Sequence, residues 1–475
     1  MSALRLASAS AASAALMLLT GCAALGIDDA LRDTNASAPH FTHGALELAR
    51  TQDRRDRRAA LSQDLLASPL SQEGAVQLSL GNSPALQALL AQGWAGIAAA
   101  DQAGRLRNPV FTFERMRLGD ELEIGRLLSF GLVDLLLLPQ RLSISRSQSA
   151  LARVHLTGTV VDQVTRTRQA WVRAVAAQQL LLYAEQVQQS AEASAELARR
   201  MQQVGNFSRL QRARQQAFYA DATTRLAGAR HAVTATREEL VRALGLDDAQ
   251  AVSLKLPGRL PDLPESPREP REVAAAGGEQ RLDLQLARAQ LDVAGKSQGV
   301  NLLSTFVDVE LGARRDSVFD DAERSRRTRR GFELDIVLPL FDWGSARRDL
   351  LNAESLAAAY GYDAAARAAT SQLRQDYSAY RTAYDIARHY REEVVPLRQA
   401  IADENLLRYN GMLIGVFELL AEARDQVAGV TQAIDAQQQF WLADAALAAS
   451  VIGRPAAAST PTAGAAAETP AVAAH

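Results

Sequence analysis

Two short windows of the chain alternate with period two, and nearly everything else follows a helical period. In "GFELDIVLPLF" (331–341), Phe332, Leu334, Ile336 and Leu338 face one way, with Glu333 and Asp335 facing the other. In "TFVDVELGARRD" (305–316), Val307, Val309 and Leu311 likewise oppose Asp308 and Glu310. A third window, "NPVFTFERMRLGDELEIGRLLSFGLVDLLLLP" (108–139), carries the turn sequence Leu118-Gly119-Asp120. It predicts a hairpin with strands of about ten residues on each side, long enough to cross a bilayer when tilted. Helices are predicted at about 84–104 and 279–298, each ahead of a strand window. No proline occurs between Gln140 and Leu256. A helix from 141 to 204 would run about 95 Å at 1.5 Å per residue. Along it Val187, Ala191, Ser194, Ala198 and Met201 step by four and three, the spacing of a coiled-coil seam. In the second half, Ser345 is the expected N-cap of another long helix, and Pro396 should kink or break it.

These patterns occur twice in the same order. Leu86-Gln87 with Ala91-Gln92 recurs as Leu284-Gln285 with Ala289-Gln290, and Leu138-Pro139 recurs as Leu338-Pro339. "VGNFSRLQRARQQ" (204–216) matches "IGVFELLAEARDQ" (414–426), with Gly205/Gly415, Phe207/Phe417, Leu210/Leu420, Ala213/Ala423, Arg214/Arg424 and Gln216/Gln426 identical at a displacement of 210. Three ordered blocks imply a duplication, with repeats at 76–260 and 279–452. The proline-dense stretch between them, with the inter-repeat linker at 261–278, reads as an extended connector. Each tip glycine sits midway along its half's helical run, where it can turn the chain back on itself. Phe207/Leu210 and Phe417/Leu420 would clamp the two tips. Whether those residues only pack the turns or also meet a partner stays open.

The start of the chain has its own pattern. Arg5 precedes an uncharged run from Leu6 to Leu19, too short to span a bilayer but suited to an export signal. Leu19-Thr20-Gly21-Cys22 resembles a bacterial lipobox, and Cys22 is the only cysteine of 475 residues. The resemblance implies a signal peptide over 1–21, lipid (palmitate among it) on Cys22, and a lipid-anchored N-terminal linker over 22–75. An ordinary cleaved signal is the alternative. Ala23 after the cysteine points to the outer membrane.

Composition changes the picture in two places. Hydrophobic residues make up 48% but aromatics only 5%, which suits long helices meeting along narrow seams. No later segment reaches eighteen consecutive apolar residues, so a membrane span would have to use strands. Four strands cannot close a barrel, for which about eight is the minimum, so the barrel would be shared between chains. The same alternation also serves an ordinary half-buried sheet. The segment "DDAERSRRTRR" (320–330), with five arginines, is expected as a turn in water. Basic residues are arginine except Lys255 and Lys296, which we read as codon usage. A formal net charge of −2 gives no reason to expect nucleic acid. Six scattered histidines, with no HExxH, GxSxG or phosphate loop, argue against an enzyme and against cofactors. His40 and His43 alone make an incomplete metal site. The tail, 453–475, reads as disordered.

Together with "VLPLFDWGSARRDLLNAE" and "RYNGMLIGVFELLAEAR", this ordered set resembles the TolC family of outer-membrane efflux channels over about 76–452. The resemblance implies a mainly α fold with a membrane β-barrel part. Four strands per chain would enter a shared twelve-strand barrel in a homotrimer, above a long α-helical periplasmic barrel. It further implies an outer-membrane location, a periplasmic adaptor protein contacting the helix tips, and an inner-membrane pump of RND or ABC type. The family's periplasmic gate has a tyrosine nine residues before an acid, matched here by Tyr409 and Glu418. Where many members carry a second acid stands Ala421, with Glu422 next to it. Exposed surface is the plain alternative for Glu418. A lipid-anchored, non-conducting periplasmic scaffold remains the rival for the whole chain.

Overall fold

The computed structural model describes residues 26–278, 280–304, 308–320, 325–337, 340–341 and 343–455. The signal segment, Cys22, Val307, the 321–324 turn, Leu338-Pro339 and the tail from 456 lie outside the described residues. Along the chain run α1 (Ile27–Ser37), α2 (Pro39–Thr42), α3 (Gln52–Ala67), α4 (Gln72–Asn82) and α5 (Pro84–Ala103). The hairpin β1 (Val110–Leu118) and β2 (Glu121–Gly131) follows, then α6 (Leu132–Leu136), α7 (Leu138–Gln203), α8 (Arg209–Leu244), α9 (Asp248–Ser253) and α10 (Pro270–Ala276). The second half has α11 (Leu282–Ser304), β3 (Asp308–Asp320), β4 (Ser325–Val337), α12 (Ser345–His389), a π-helical turn (Tyr390–Val394), α13 (Val395–Asn410) and α14 (Val416–Val451). Helix, hairpin and long helical pair thus recur in order.

Contacts divide the chain into two units. One gathers residues up to Arg58, Pro84–Val160 and Leu282–Ala368; the other holds Ala59–Ser83, Val161–Arg281 and the chain from Ala369 onward. The first contains one antiparallel sheet in the order β1-β2-β3-β4. Gly119 (φ 60°) and Asp120 make the two-residue turn between β1 and β2, with Leu118 opposite Glu121, as the sequence predicts. The arginine run is a correction. Only 321–324 separates β3 from β4, so Arg326, Arg327, Arg329 and Arg330 are strand residues and not a loop.

α7 has 66 residues, about 100 Å of helix at 1.5 Å each. Pro139 is tolerated because it sits in the first turn, where its missing N–H has no intrahelical acceptor. The seam predicted along it is present: Ala191 and Ala198 are buried and Val187, Ser194 and Met201 half-buried. In the second half Gly344 (φ 66°) precedes the helix and Ser345 is its first residue, one position from the expected cap. Pro396 does not break the run. The π-turn lies directly before it and absorbs the missing donor, so helix continues from Ser345 to Asn410.

Residues 27–75, expected as linker, carry four helices with their own buried contacts. In the first unit Ile27, Ala30, Leu31 and Phe41 are buried, and the Thr34 hydroxyl lies 2.9 Å from that of Thr157 on α7. In the second unit Leu66, Leu70, Ala75 and Leu78 join Trp171, Val175, Leu240 and Leu244 in one core. Trp171 Nε1 donates to the Leu70 carbonyl at 2.8 Å, and the Leu70 N–H donates to the Lys255 carbonyl at 2.9 Å. The proline-rich connector is extended but not loose. Tyr384 donates to the carbonyls of Pro264 and Glu265, both at 3.1 Å, and Trp441 Nε1 to that of Pro261 at 3.0 Å. Arg268 pairs with Asp444 at 2.8 Å. Burial pushes the Asp444 carboxyl up, against the pull of Arg268 and Arg168. Near the end of the described residues Arg454, expected in the disordered tail, is tied to Asp162.

Candidate functional site

The sheet separates its chemistry by face. Strand pairing puts Phe111, Phe113, Leu128, Phe130, Leu311, Phe332, Leu334 and Ile336 on one side. Many stay exposed in the single chain, Phe332 at 82%. The other side carries Glu114, Glu121, Glu123, Glu310, Asp316, Asp320, Glu333 and Asp335. At its centre the Arg314 guanidinium reaches Asp316 at 3.1 Å, Glu114 at 3.2 Å and Glu333 at 3.4 Å, spanning β1, β3 and β4. Gly125 on β2 makes that reach possible. A Cβ there would come within 3.3 Å of both the Asp316 and Glu114 carboxylates. β1 and β4 each pair on one side only among the described residues, which leaves unpaired backbone N–H and C=O groups along both edges of the sheet.

The two helical turns belong to the second unit and are built alike, though not in the sequence register. At the first tip Gly205 (φ 86°) ends α7; its N–H donates to Gln202 O at 3.1 Å, and that of Asn206 to Met201 O at 2.9 Å. At the second, Met412 (φ 59°) occupies this position, donating to Tyr409 O at 2.9 Å, with Leu413 donating to Arg408 O at 2.8 Å. Both are Schellman-type ends, satisfying the last carbonyls of the helix. Gly415 (φ −82°, ψ 159°) is instead the N-cap of α14, where Ser208 (φ −73°, ψ 159°) caps α8. The structural displacement is therefore 207, not 210. The sequence match slid by three residues, nearly one helical turn, which keeps the aligned positions close to the same face.

This shift reassigns the clamp. Phe207 and its true counterpart Ile414 are both 8% exposed, whereas Leu210 is 62% exposed and points away from the tip's interior. Leu420 is half-buried and Phe417 lies in the first turn of α14. Tyr409 stands in the last turn of α13, and Glu418 is exposed in the first turn of α14, where a carboxylate complements the helix dipole. Glu422 is not a free carboxylate: Arg398 of α13 donates to it at 3.5 Å, bridging the two helices of this tip.

Sequence reasoning missed the link between tips. The Arg424 guanidinium lies 4.4 Å from the Phe218 ring centroid of α8 and donates to the Gln215 side chain at 3.2 Å. A cavity of about 330 Å³ lined by Val187, Phe218, Asp221, Arg225 and Val427 adjoins it. Further up α7, hydrogen bonds from Arg199 and Arg200 hold the Glu196 carboxyl down to about 2. His40 and His43 join no cluster of metal-ligating residues among the described ones. No described helix is long and apolar enough to cross a membrane.

This arrangement recurs in solved structures. VceC, an outer membrane protein from Vibrio cholerae, superposes with a TM-score of 0.66 at 15% identity, over 86% of this chain and 99% of its own. The chain has the TolC-like fold. The outer-membrane channel OprN matches the same fold with a TM-score of 0.65 at 18% identity, over 89% of this chain and 95% of its own. The open state of the MtrE outer membrane channel from Neisseria gonorrhoeae gives 0.65 at 17% identity, covering 81% and 89%. No protein-family model and no curated protein sequence matches this chain. The fold is thus shared with these structures at 15–18% sequence identity.

Proposed function

We propose that this protein is the outer-membrane channel component of a tripartite efflux or export system, a passive homotrimeric conduit anchored through lipid on Cys22. The observation carrying this reading is the four-stranded sheet, apolar on one face, carboxylate-rich on the other and, among the described residues, unpaired at both edges. Three copies supply twelve strands, enough to close a barrel with the apolar face to lipid and the carboxylates to a water-filled lumen. The long helices extend the conduit into the periplasm. Its tips, with Gly205, Phe207 and Leu210 on one and Gly415, Phe417 and Leu420 on the other, meet a periplasmic adaptor, which joins the channel to an RND-type or ABC-type inner-membrane pump. Transport energy comes from that pump.

Tyr409 and Glu418 form the periplasmic gate, three carboxylates converging on one axis and favouring cations. Glu422 supports it through Arg398. Planar-bilayer recording tests both levels. Wild-type protein should run as a heat-modifiable trimer and conduct with cation preference, and Glu418→Ala should raise conductance and weaken that preference. A wild-type monomer in mild detergent, with its strands open to periplasmic protease, would support a lipid-anchored scaffold and end the channel reading. Unchanged conductance in Glu418→Ala would remove only the gate. Cys22→Ser should abolish incorporation of labelled palmitate.

A further inference from the structure

The apolar face of the sheet carries no carboxylate among the described residues, yet it carries six arginines: Arg115, Arg117, Arg126, Arg315, Arg326 and Arg330. Three of them form a line. Arg126 on β2 stands directly opposite Arg315 on β3, and Arg315 directly opposite Arg330 on β4. With adjacent strands about 4.8 Å apart, the three span roughly 10 Å. Like charges directly opposite in an antiparallel pair repel. The neighbours on this face are polar or aromatic rather than anionic: Arg126 donates to the Ser317 hydroxyl at 3.5 Å, and Arg326 lies 5.1 Å from the Phe319 ring centroid. Arg315 and Arg330 are exposed. On the opposite face, by contrast, Arg314 sits among three carboxylates.

The row also has a definite height. On β4, Phe332, Leu334 and Ile336 lie between Arg330 and the helical end, and on β2 Leu128 and Phe130 lie on the same side of Arg126. Past the strand ends the exposed Leu340, Phe341 and Trp343 continue in that direction. The guanidiniums begin where the exposed apolar band stops, towards the Gly119–Asp120 turn and away from the helices. Beyond them the apolar residues of this face, Leu122, Ile124 and Phe319, are half-buried among further arginines. An arginine on the lipid face of a barrel is costly at the bilayer midplane and nearly free at the interface. This row therefore belongs at headgroup level, in the leaflet on the hairpin side.

We propose that Arg126, Arg315 and Arg330 form a binding site for a lipid headgroup phosphate in that leaflet, selecting a phosphate monoester over a diester. The inference rests on the channel reading, because only an inserted sheet presents this face to lipid. Guanidinium forks match phosphate oxygens bidentately. A monoester offers a charge of about −1.5 to −2 and three acceptor oxygens, which three guanidiniums within roughly 10 Å can share. A diester brings one charge.

The test uses the full-length trimer in phosphatidylcholine bilayers doped with phosphatidic acid (a monoester) or phosphatidylglycerol (a diester). Retained lipid is measured by native mass spectrometry and conductance is recorded on the same preparations. Phosphatidic acid should be retained in preference. The triple variant Arg126→Gln, Arg315→Gln, Arg330→Gln should weaken its retention on the order of a hundredfold, about fivefold per arginine. Arg327→Gln with Arg329→Gln, on the carboxylate face, should leave it unchanged. Excess inorganic phosphate should not displace it. Should the triple variant not assemble, Arg315→Gln alone reads the effect at about fivefold. Equal retention of both lipids, equal loss from the carboxylate-face variants, or displacement by inorganic phosphate overturns the site. If wild-type protein does not conduct, the channel reading falls; if it conducts without discriminating lipids, only this inference does.

Discussion

Met412 holds the left-handed conformation, which costs an L-residue about 1–2 kcal/mol and glycine almost nothing. Met412→Gly should therefore stabilise the second tip by about 0.5–1 kcal/mol after glycine's greater unfolded-state entropy is subtracted, seen as slower hydrogen exchange over 408–416. Gly205→Ala should cost about 1 kcal/mol at the first tip by the same reasoning. Asp292 gives a pH-dependent case. Its carboxyl is held below the usual range by a hydrogen bond from Lys296 at 2.7 Å, then one from Ser147 of α7 at 2.6 Å. A depressed folded-state pKa gives stability that is present above 3.8 and lost as pH falls through the folded value. Asp292→Asn should therefore lower the melting temperature at pH 7 by an amount worth about 0.5 kcal/mol, discounted for solvent exposure, and make no difference at strongly acidic pH. At this scale the sequence was only partly legible. Identical glycines at 205 and 415 suggested identical roles, but three residues of slippage leave the apolar face nearly in place, so side-chain identity could not reveal that Met412 makes the turn.

Among elements, the two hairpins and the long helices could be read directly, because alternation and proline-free length leave few other solutions. The helices between Ile27 and Asn82 could not. α3 is strongly polar, and its buried stripe is completed by α7 and α8 far along the chain. Trp171→Phe should show how much that packing depends on one side chain: losing the bond to Leu70 and some volume should cost about 2–3 kcal/mol in thermal or urea unfolding. The prolines of 261–270 announced extended backbone but not its fastening, since the donors, Tyr384 and Trp441, lie more than a hundred residues away. Tyr384→Phe frees two carbonyls from the buried hydroxyl. Protease cleavage within 261–270 should become faster, with global stability falling by about 1–2 kcal/mol.

At the level of the whole molecule, the sheet's segregation of charge was half visible. Glu333 and Asp335 alternate with apolar residues in plain sight, but the arginines of 326–330 resembled a loop because a run of one charge reads as solvated surface. Pairing with β3 is what sorts them to two faces. A sheet open at both edges ties stability to association, so the melting temperature of the detergent-solubilised protein should rise with its concentration. A melting point independent of concentration would mean that the single chain is self-sufficient.

The π-turn at Tyr390–Val394 has a consequence well beyond its five residues. It winds more slowly than the α-helix around it, and so fixes the azimuth at which everything from Val395 to Asn410 emerges. Deleting a single residue there, with Pro396→Ala to restore the donor, would regularise the rod and keep Tyr409 near its present azimuth. Deleting one from the regular helix after Pro396 would instead rotate Tyr409 about the axis by about 100°. Only the helix shortened outside the π-turn would aim its last turn in the wrong direction.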